Sequence, residues 1–66
     1  MKIKIRANSE IFEIEQGTSV ARFLDMFNAH RCVVELNGIV LKKDLFSETI
    51  LNEGDVLEIM NIVAGG

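Results

Sequence analysis

The chain has 66 residues, a formal net charge of -3 and a sequence pI of about 4.9. That length makes one domain, near the lower limit for folding without staples, and its single cysteine excludes an internal disulfide. The acidic balance argues against a nucleic-acid partner held through phosphates, and no apolar run approaches the ~18 residues of a membrane span.

A hydrophobic share of 48% is enough for a compact core and excludes an acidic disordered tail. The four phenylalanines come without tyrosine or tryptophan, a poor set for stacking on bases. Cys32 and His30 stand alone, without the paired ligands that zinc requires. A lone thiol fits a reducing, cytoplasmic location, and an acidic surface favours a protein partner with a basic face.

Lys2 to Arg6 alternates strictly between charged and apolar residues, the pattern of a strand with one buried face. Ile11 to Glu15 alternates again after a polar turn. With Asn8-Ser9 as a two-residue loop, Ile5 faces Phe12 and Ile3 faces Ile14, while Lys4 faces Glu13 and Lys2 faces Glu15. Both faces are then matched, and a one-residue slip would set isoleucine against glutamate.

Gly17 closes this hairpin, and Thr18 or Ser19 offers a hydroxyl cap for a helix. Val20, Phe23, Leu24 and Phe27 recur at i, i+3, i+4 and i+7, one apolar stripe of about three turns that fades between Asn28 and His30. The stripe reads as core. His30 falls near the helix C-terminus, with no partner spaced to make it catalytic.

Cys32 to Leu36 and Ile39 to Lys42 form a second hairpin around Asn37-Gly38, a type I′ turn signal. Cys32 is then a small hydrophobe on a strand. Asp44 to Glu48 is a loop or single helical turn that carries Leu45 and Phe46 into the core edge, and Asn52 to Asp55 is a polar turn.

The last strand runs from Asp55 to about Ile62. Leu57 and Ile59 share the helix-facing side, which leaves Glu58, Met60 and Ile62 on the outer side. Two neighbouring apolar residues there form a candidate docking patch, with Met60 suited to fitting more than one partner. Val63-Ala64-Gly65-Gly66 comes next as a flexible small-residue tail, so the domain spans 1–62 and the tail 63–66. Glycines without Cβ let a narrow channel close around the chain, with the Gly66 carboxylate as the reacting group.

The order strand, strand, helix, strand, strand, strand predicts an α+β fold: a mixed sheet of four to five strands with one helix across one face. The last strand lies between the hairpins, parallel to the first, with the helix as a right-handed crossover. That architecture is the ubiquitin-like β-grasp.

These elements, the Gly54-Asp55 pair opening the last strand and the ending Val63-Ala64-Gly65-Gly66 resemble the ThiS family of sulfur carriers in thiamine biosynthesis. The molybdopterin-synthase small subunits (MoaD type) also end in Gly-Gly but are usually longer, and a sulfur carrier for molybdopterin or another sulfur-containing product is the alternative within the same class. The resemblance implies a carrier with no catalytic side chain of its own, a monomer when free. A ThiF-like adenylyltransferase would use ATP to place AMP on the Gly66 carboxylate. A sulfur donor such as a cysteine desulfurase system would then supply sulfur, leaving a thiocarboxylate for a ThiG-like thiazole synthase. Val63, Ala64 and Gly65 would thread the partner active sites, and Met60, Ile62 and Glu58 would dock the body. Two other classes fit the same ending, a ubiquitin-like modifier attacked by lysine amines and a plain β-grasp interaction module. An enzyme proper fits least, since neither a nucleophile–base pair nor a phosphate-cradling loop is visible.

Overall fold

The computed structural model describes residues 1–29 and 31–61. Its strands are β1 (Lys2–Ala7), β2 (Glu10–Glu15), β3 (Cys32–Leu36), β4 (Ile39–Leu41) and β5 (Val56–Asn61). The helix α1 (Val20–Asp25) joins the two hairpins, and a 3-10 helix spans Lys43–Leu45. The sheet order is β2-β1-β5-β3-β4. The chain thus completes its sheet by inserting β5 between the hairpins, parallel to β1 and antiparallel to β3.

The first hairpin has the register that its alternation dictates. Ile3 lies opposite Ile14 and Ile5 opposite Phe12, with Lys2 opposite Glu15 and Lys4 opposite Glu13. Asn8 and Ser9 take φ of +49° and +70°, the left-handed pair that matches the twist of the flanking strands. On the solvent side Lys2 Nζ reaches Glu15 at 3.3 Å. Lys4 and Glu13 face each other without an ion pair; the Lys4 backbone N–H instead donates to the Glu53 carboxylate at 2.9 Å.

Ser19 caps α1, its hydroxyl accepting from the Arg22 N–H at 3.1 Å. The next free donors are met from across the fold: Val20 N–H donates to the Thr49 carbonyl and Ala21 N–H to that of Phe46, at 2.8 and 3.0 Å. The loop after the 3-10 helix therefore seats the start of α1. The helix is shorter than the three turns that its apolar stripe predicts. Asn28, at φ +54°, ends it in a Schellman motif, with Ala29 N–H on the Leu24 carbonyl and Asn28 N–H on that of Asp25. Asparagine tolerates the left-handed conformation that this cap needs, so the helix stops within its second turn.

Val20, Phe23 and Leu24 are buried on the sheet, with Ile3, Ile5, Ala7, Ile14, Val34 and Leu57 beneath them. Phe27, past the helix end, is 49% exposed, yet its ring stands edge-on to Phe12 at 5.3 Å and tilted to Phe23 at 5.1 Å. Phe46 enters the core edge as expected, but Leu45 does not and remains 42% exposed. With three residues per 3-10 turn, neighbouring side chains diverge by a third of a turn, so only one of the two can face inward. Cys32 is a half-buried strand residue packed against the core, as read from its apolar run.

β5 begins one residue later than its sequence pattern predicts, because Asp55 is used in the turn. Its carboxylate accepts from the Asn52 N–H at 2.8 Å and from the Asn37 side-chain amide at 3.1 Å. The expected strand end at Ile62 and the 62/63 domain boundary lie outside the described residues, as does His30.

Candidate functional site

The site grows from the far end of β5, and two asparagines hold that strand in place. Asn8, at the first hairpin turn, accepts the Ile59 N–H at 2.7 Å and donates its amide to the Ile59 carbonyl at 3.1 Å. Its backbone N–H also reaches the Leu57 carbonyl at 3.0 Å. The side chain thus continues the β1–β5 ladder after β1 has turned away. Asn37, in the second turn, accepts the Val56 N–H at 2.9 Å, and its own N–H donates to the Val56 carbonyl at 2.7 Å. Each turn residue therefore has a second task, guiding the central strand from one side.

Alternation along β5 sorts its residues as the sequence predicts. Leu57 is 0% exposed and Ile59 half-buried on the helix side, while Glu58 and Met60 are exposed on the outer side. Met60 is 44% exposed and lies opposite Val33 of β3. Val56 and Val40 are also exposed, and sheet register brings them to the same face. The outer patch is thus wider than Met60 and its chain neighbours. Val33, Val40 and Glu35 escape a reading of β5 alone; the alternation in the second hairpin, joined to the strand order, is the signal that finds them.

On the helix side, a cleft of about 400 Å³ opens beside the end of β5, with Phe12, Phe27, Asn28, Ile59 and Asn61 in its walls. Asn61 is also the cross-strand partner of Cys32. The Cys32 sulfur lies 4.0 Å from the Ala29 carbonyl. Among the described residues, no three His, Cys, Asp or Glu side chains converge as a metal-binding group, and no helix is long and apolar enough to cross a membrane. Ile62, Val63, Ala64, Gly65 and Gly66, the other residues assigned to the site from sequence, lie outside the described residues.

A five-stranded mixed sheet with one helix across one face, its last strand inserted at the centre, is a β-grasp of the ubiquitin-like class. The ThiS family model matches residues 2–66, and the chain belongs to that family, the small sulfur carriers of the ThiS/MoaD type. A thiamine biosynthesis protein (ThiS) from Geobacter metallireducens is similar in structure. Its TM-score is 0.82 at 26% identity, over 97% of this chain and 100% of that one. In sequence, the uncharacterized protein ycf40 of Pyropia yezoensis is 42% identical and that of Porphyra purpurea 36%, each over 97% of this chain and 93% of the relative. One chain of the complex of subunits 1 and 2 of the molybdopterin-converting factor from Helicobacter pylori shares the fold, with a TM-score of 0.57 and 20% identity over the whole of both chains.

Proposed function

We propose that this protein carries sulfur on Gly66 for formation of the thiazole ring of thiamine. A carboxylate at neutral pH is a poor acyl donor because its oxygen leaves badly. A ThiF-like adenylyltransferase overcomes this by letting the Gly66 carboxylate attack the α-phosphorus of ATP, which releases pyrophosphate and leaves an acyl adenylate. A sulfide nucleophile then forms a C–S bond at the acyl carbon as the C–O bond to AMP breaks. The product is a thiocarboxylate, and a ThiG-like thiazole synthase takes its sulfur.

The observation that carries this reading is the family match itself, which extends through Val63-Ala64-Gly65-Gly66 to residue 66. Thiazole formation is preferred as the destination because the similar structure from Geobacter is a thiamine biosynthesis protein. The body contributes docking. In this reading Met60, Glu58 and Ile62 dock against the activating enzyme, and Val63, Ala64 and Gly65 thread its channel, where the missing Cβ atoms of Gly65 and Gly66 leave room beside the reacting carbonyl. The protein is a co-substrate of its partners rather than an enzyme.

Intact-mass measurement tests the reading. Incubated with ATP, the adenylyltransferase and a sulfur source, the chain gains the mass difference of one oxygen replaced by one sulfur, located at Gly66 by fragmentation. Conjugation to lysines of other proteins would assign it as a modifier instead. A chain that stays unchanged in the presence of active enzyme refutes sulfur carriage.

A further inference from the structure

The chain has five asparagines, and one of them, Asn37, precedes a glycine. Asparagine before glycine carries a latent reaction. The following backbone nitrogen attacks Cγ, so that an N–Cγ bond forms as Cγ–Nδ2 breaks, and ammonia leaves with the proton that the nitrogen gives up. Water then opens the succinimide ring at either carbonyl, giving aspartate or isoaspartate. Glycine matters because a Cβ on the attacking residue would crowd the approach. Asn8, Asn28, Asn52 and Asn61 are followed by Ser9, Ala29, Glu53 and Ile62, each with that Cβ.

The fold treats the two reacting groups differently. Gly38 is exposed at the tip of the second turn, and among the described residues no turn or side-chain hydrogen bond engages its N–H. Asn37 is the held partner. Its N–H donates to the Val56 carbonyl at 2.7 Å, its Oδ1 accepts the Val56 N–H at 2.9 Å, and its Nδ2 donates to the Asp55 carboxylate at 3.1 Å. Bonding to both polar groups of Val56 aligns the carboxamide with the residue's own N–H, toward β5 and away from the peptide that follows. Asp55 is fixed in turn: its second carboxylate oxygen accepts the Asn52 N–H at 2.8 Å, and its carbonyl accepts the Arg6 N–H at 2.9 Å. Cγ reaches the Gly38 nitrogen only after both side-chain bonds break, which requires the start of β5 to leave its place.

We infer that Asn37-Gly38 is a deamidation site gated by β5, with Asp55 as the positioning residue that keeps the carboxamide out of reach. Each loosening of the strand admits the reaction, and the product makes the loosening permanent. A carboxylate at position 37 faces the Asp55 carboxylate where a donor stood, and isoaspartate adds a backbone methylene to a two-residue turn whose length sets the register. The step consumes only water and is independent of sulfur carriage.

The test incubates the full chain at mildly alkaline pH, folded or in urea, and follows the mass change of an amide NH replaced by oxygen. Trypsin isolates the site in the peptide from Cys32 to Lys42, where fragmentation locates the product at Asn37. Unfolding in urea is expected to speed the reaction there by about tenfold or more, as for any process that needs local opening. In the folded protein Asp55→Ala is expected to speed it several-fold, and Asp55→Asn, which keeps an acceptor oxygen, to retain much of the protection. Ser19→Ala weakens the domain at the helix cap instead; brought by urea to the stability of Asp55→Ala, it is expected to react more slowly at Asn37. Equal rates for folded and urea-unfolded wild type, or an Asn37 that stays intact in both, overturn the inference. So does an Asp55→Ala protein no faster than Ser19→Ala at equal stability. Circular dichroism checks each fold, and where Asp55→Ala is unfolded the wild-type comparison and Asp55→Asn decide.

Discussion

Replacing Asn8 tests how the central strand is held along its second half. Its side chain supplies two hydrogen bonds to one residue, Ile59, at 2.7 and 3.1 Å, and its backbone sits at φ +49°. Asn8→Gly removes the hydrogen bonds while keeping the left-handed conformation accessible. The site is exposed, so water partly re-satisfies the freed Ile59 groups, and two net bonds at the low end of ~0.5–1.5 kcal/mol each predict a loss of about 1–2 kcal/mol. Asn8→Ala loses the same bonds and adds a Cβ in the left-handed region, about 1 kcal/mol more. Asn8→Asp keeps the acceptor for the Ile59 N–H but sets a carboxylate against the Ile59 carbonyl. It is expected to fall no closer to wild type than glycine does. Urea denaturation orders the three, and amide exchange at Ile59 and Asn61 reads the local effect. Glycine and wild-type proteins with equal midpoints and equal exchange at Ile59 would refute the assignment of Asn8 as a strand surrogate.

Phe12→Asp should cost about 3–5 kcal/mol, since the ring packs edge-on to both Phe23 and Phe27, whereas Glu13→Gln on the solvent face should cost under about 1 kcal/mol. Similar denaturation midpoints for the two would mean that the faces of β2 are exchanged. Ser19→Ala should lose about 0.5–2 kcal/mol with the Arg22 cap bond, seen as an earlier urea midpoint, and Ser19→Asp should restore most of it. Met60→Asp should leave a folded domain by far-ultraviolet circular dichroism, because the side chain is on the outer face. It should slow adenylation of Gly66 at subsaturating carrier by the equivalent of ~2 kcal/mol, and a wild-type rate would remove the docking role of that patch. Gly66→Ala should bind the adenylyltransferase nearly as well as wild type yet fail in the chemistry, as shown by normal calorimetric affinity with little pyrophosphate release.

The register of the first hairpin was legible in the sequence because two independent patterns, apolar pairs and opposite charges, agree on a single alignment. Asn37-Gly38 was legible for a different reason: both residues must take positive φ, and the observed +53° and +84° are values that few other pairs accept. The helix stripe was legible as a face, but its length was not. Its end depends on Asn28 entering the left-handed region, which asparagine permits without requiring. Leu45 was misplaced because two adjacent apolar residues give no hint of which one a single turn will bury.

The chain alone therefore sets whatever is local: the strand faces, the two tight turns, the capped helix and the terminal Val-Ala-Gly-Gly segment. Short-range periodicity and turn chemistry act between residues only a few positions apart, and they can be read directly. Features that join residues far apart in the chain were settled by the tertiary structure. It assigned Asn8 and Asn37 to β5 across 51 and 19 positions, and it set Glu35 beside Glu58 within a patch drawn from three strands. Contacts of that range have no period to betray them. They exist because β5 has one remaining place to bury Leu57, between the hairpins and under the helix, and inserting it there brings the outer residues of both hairpins together on one face.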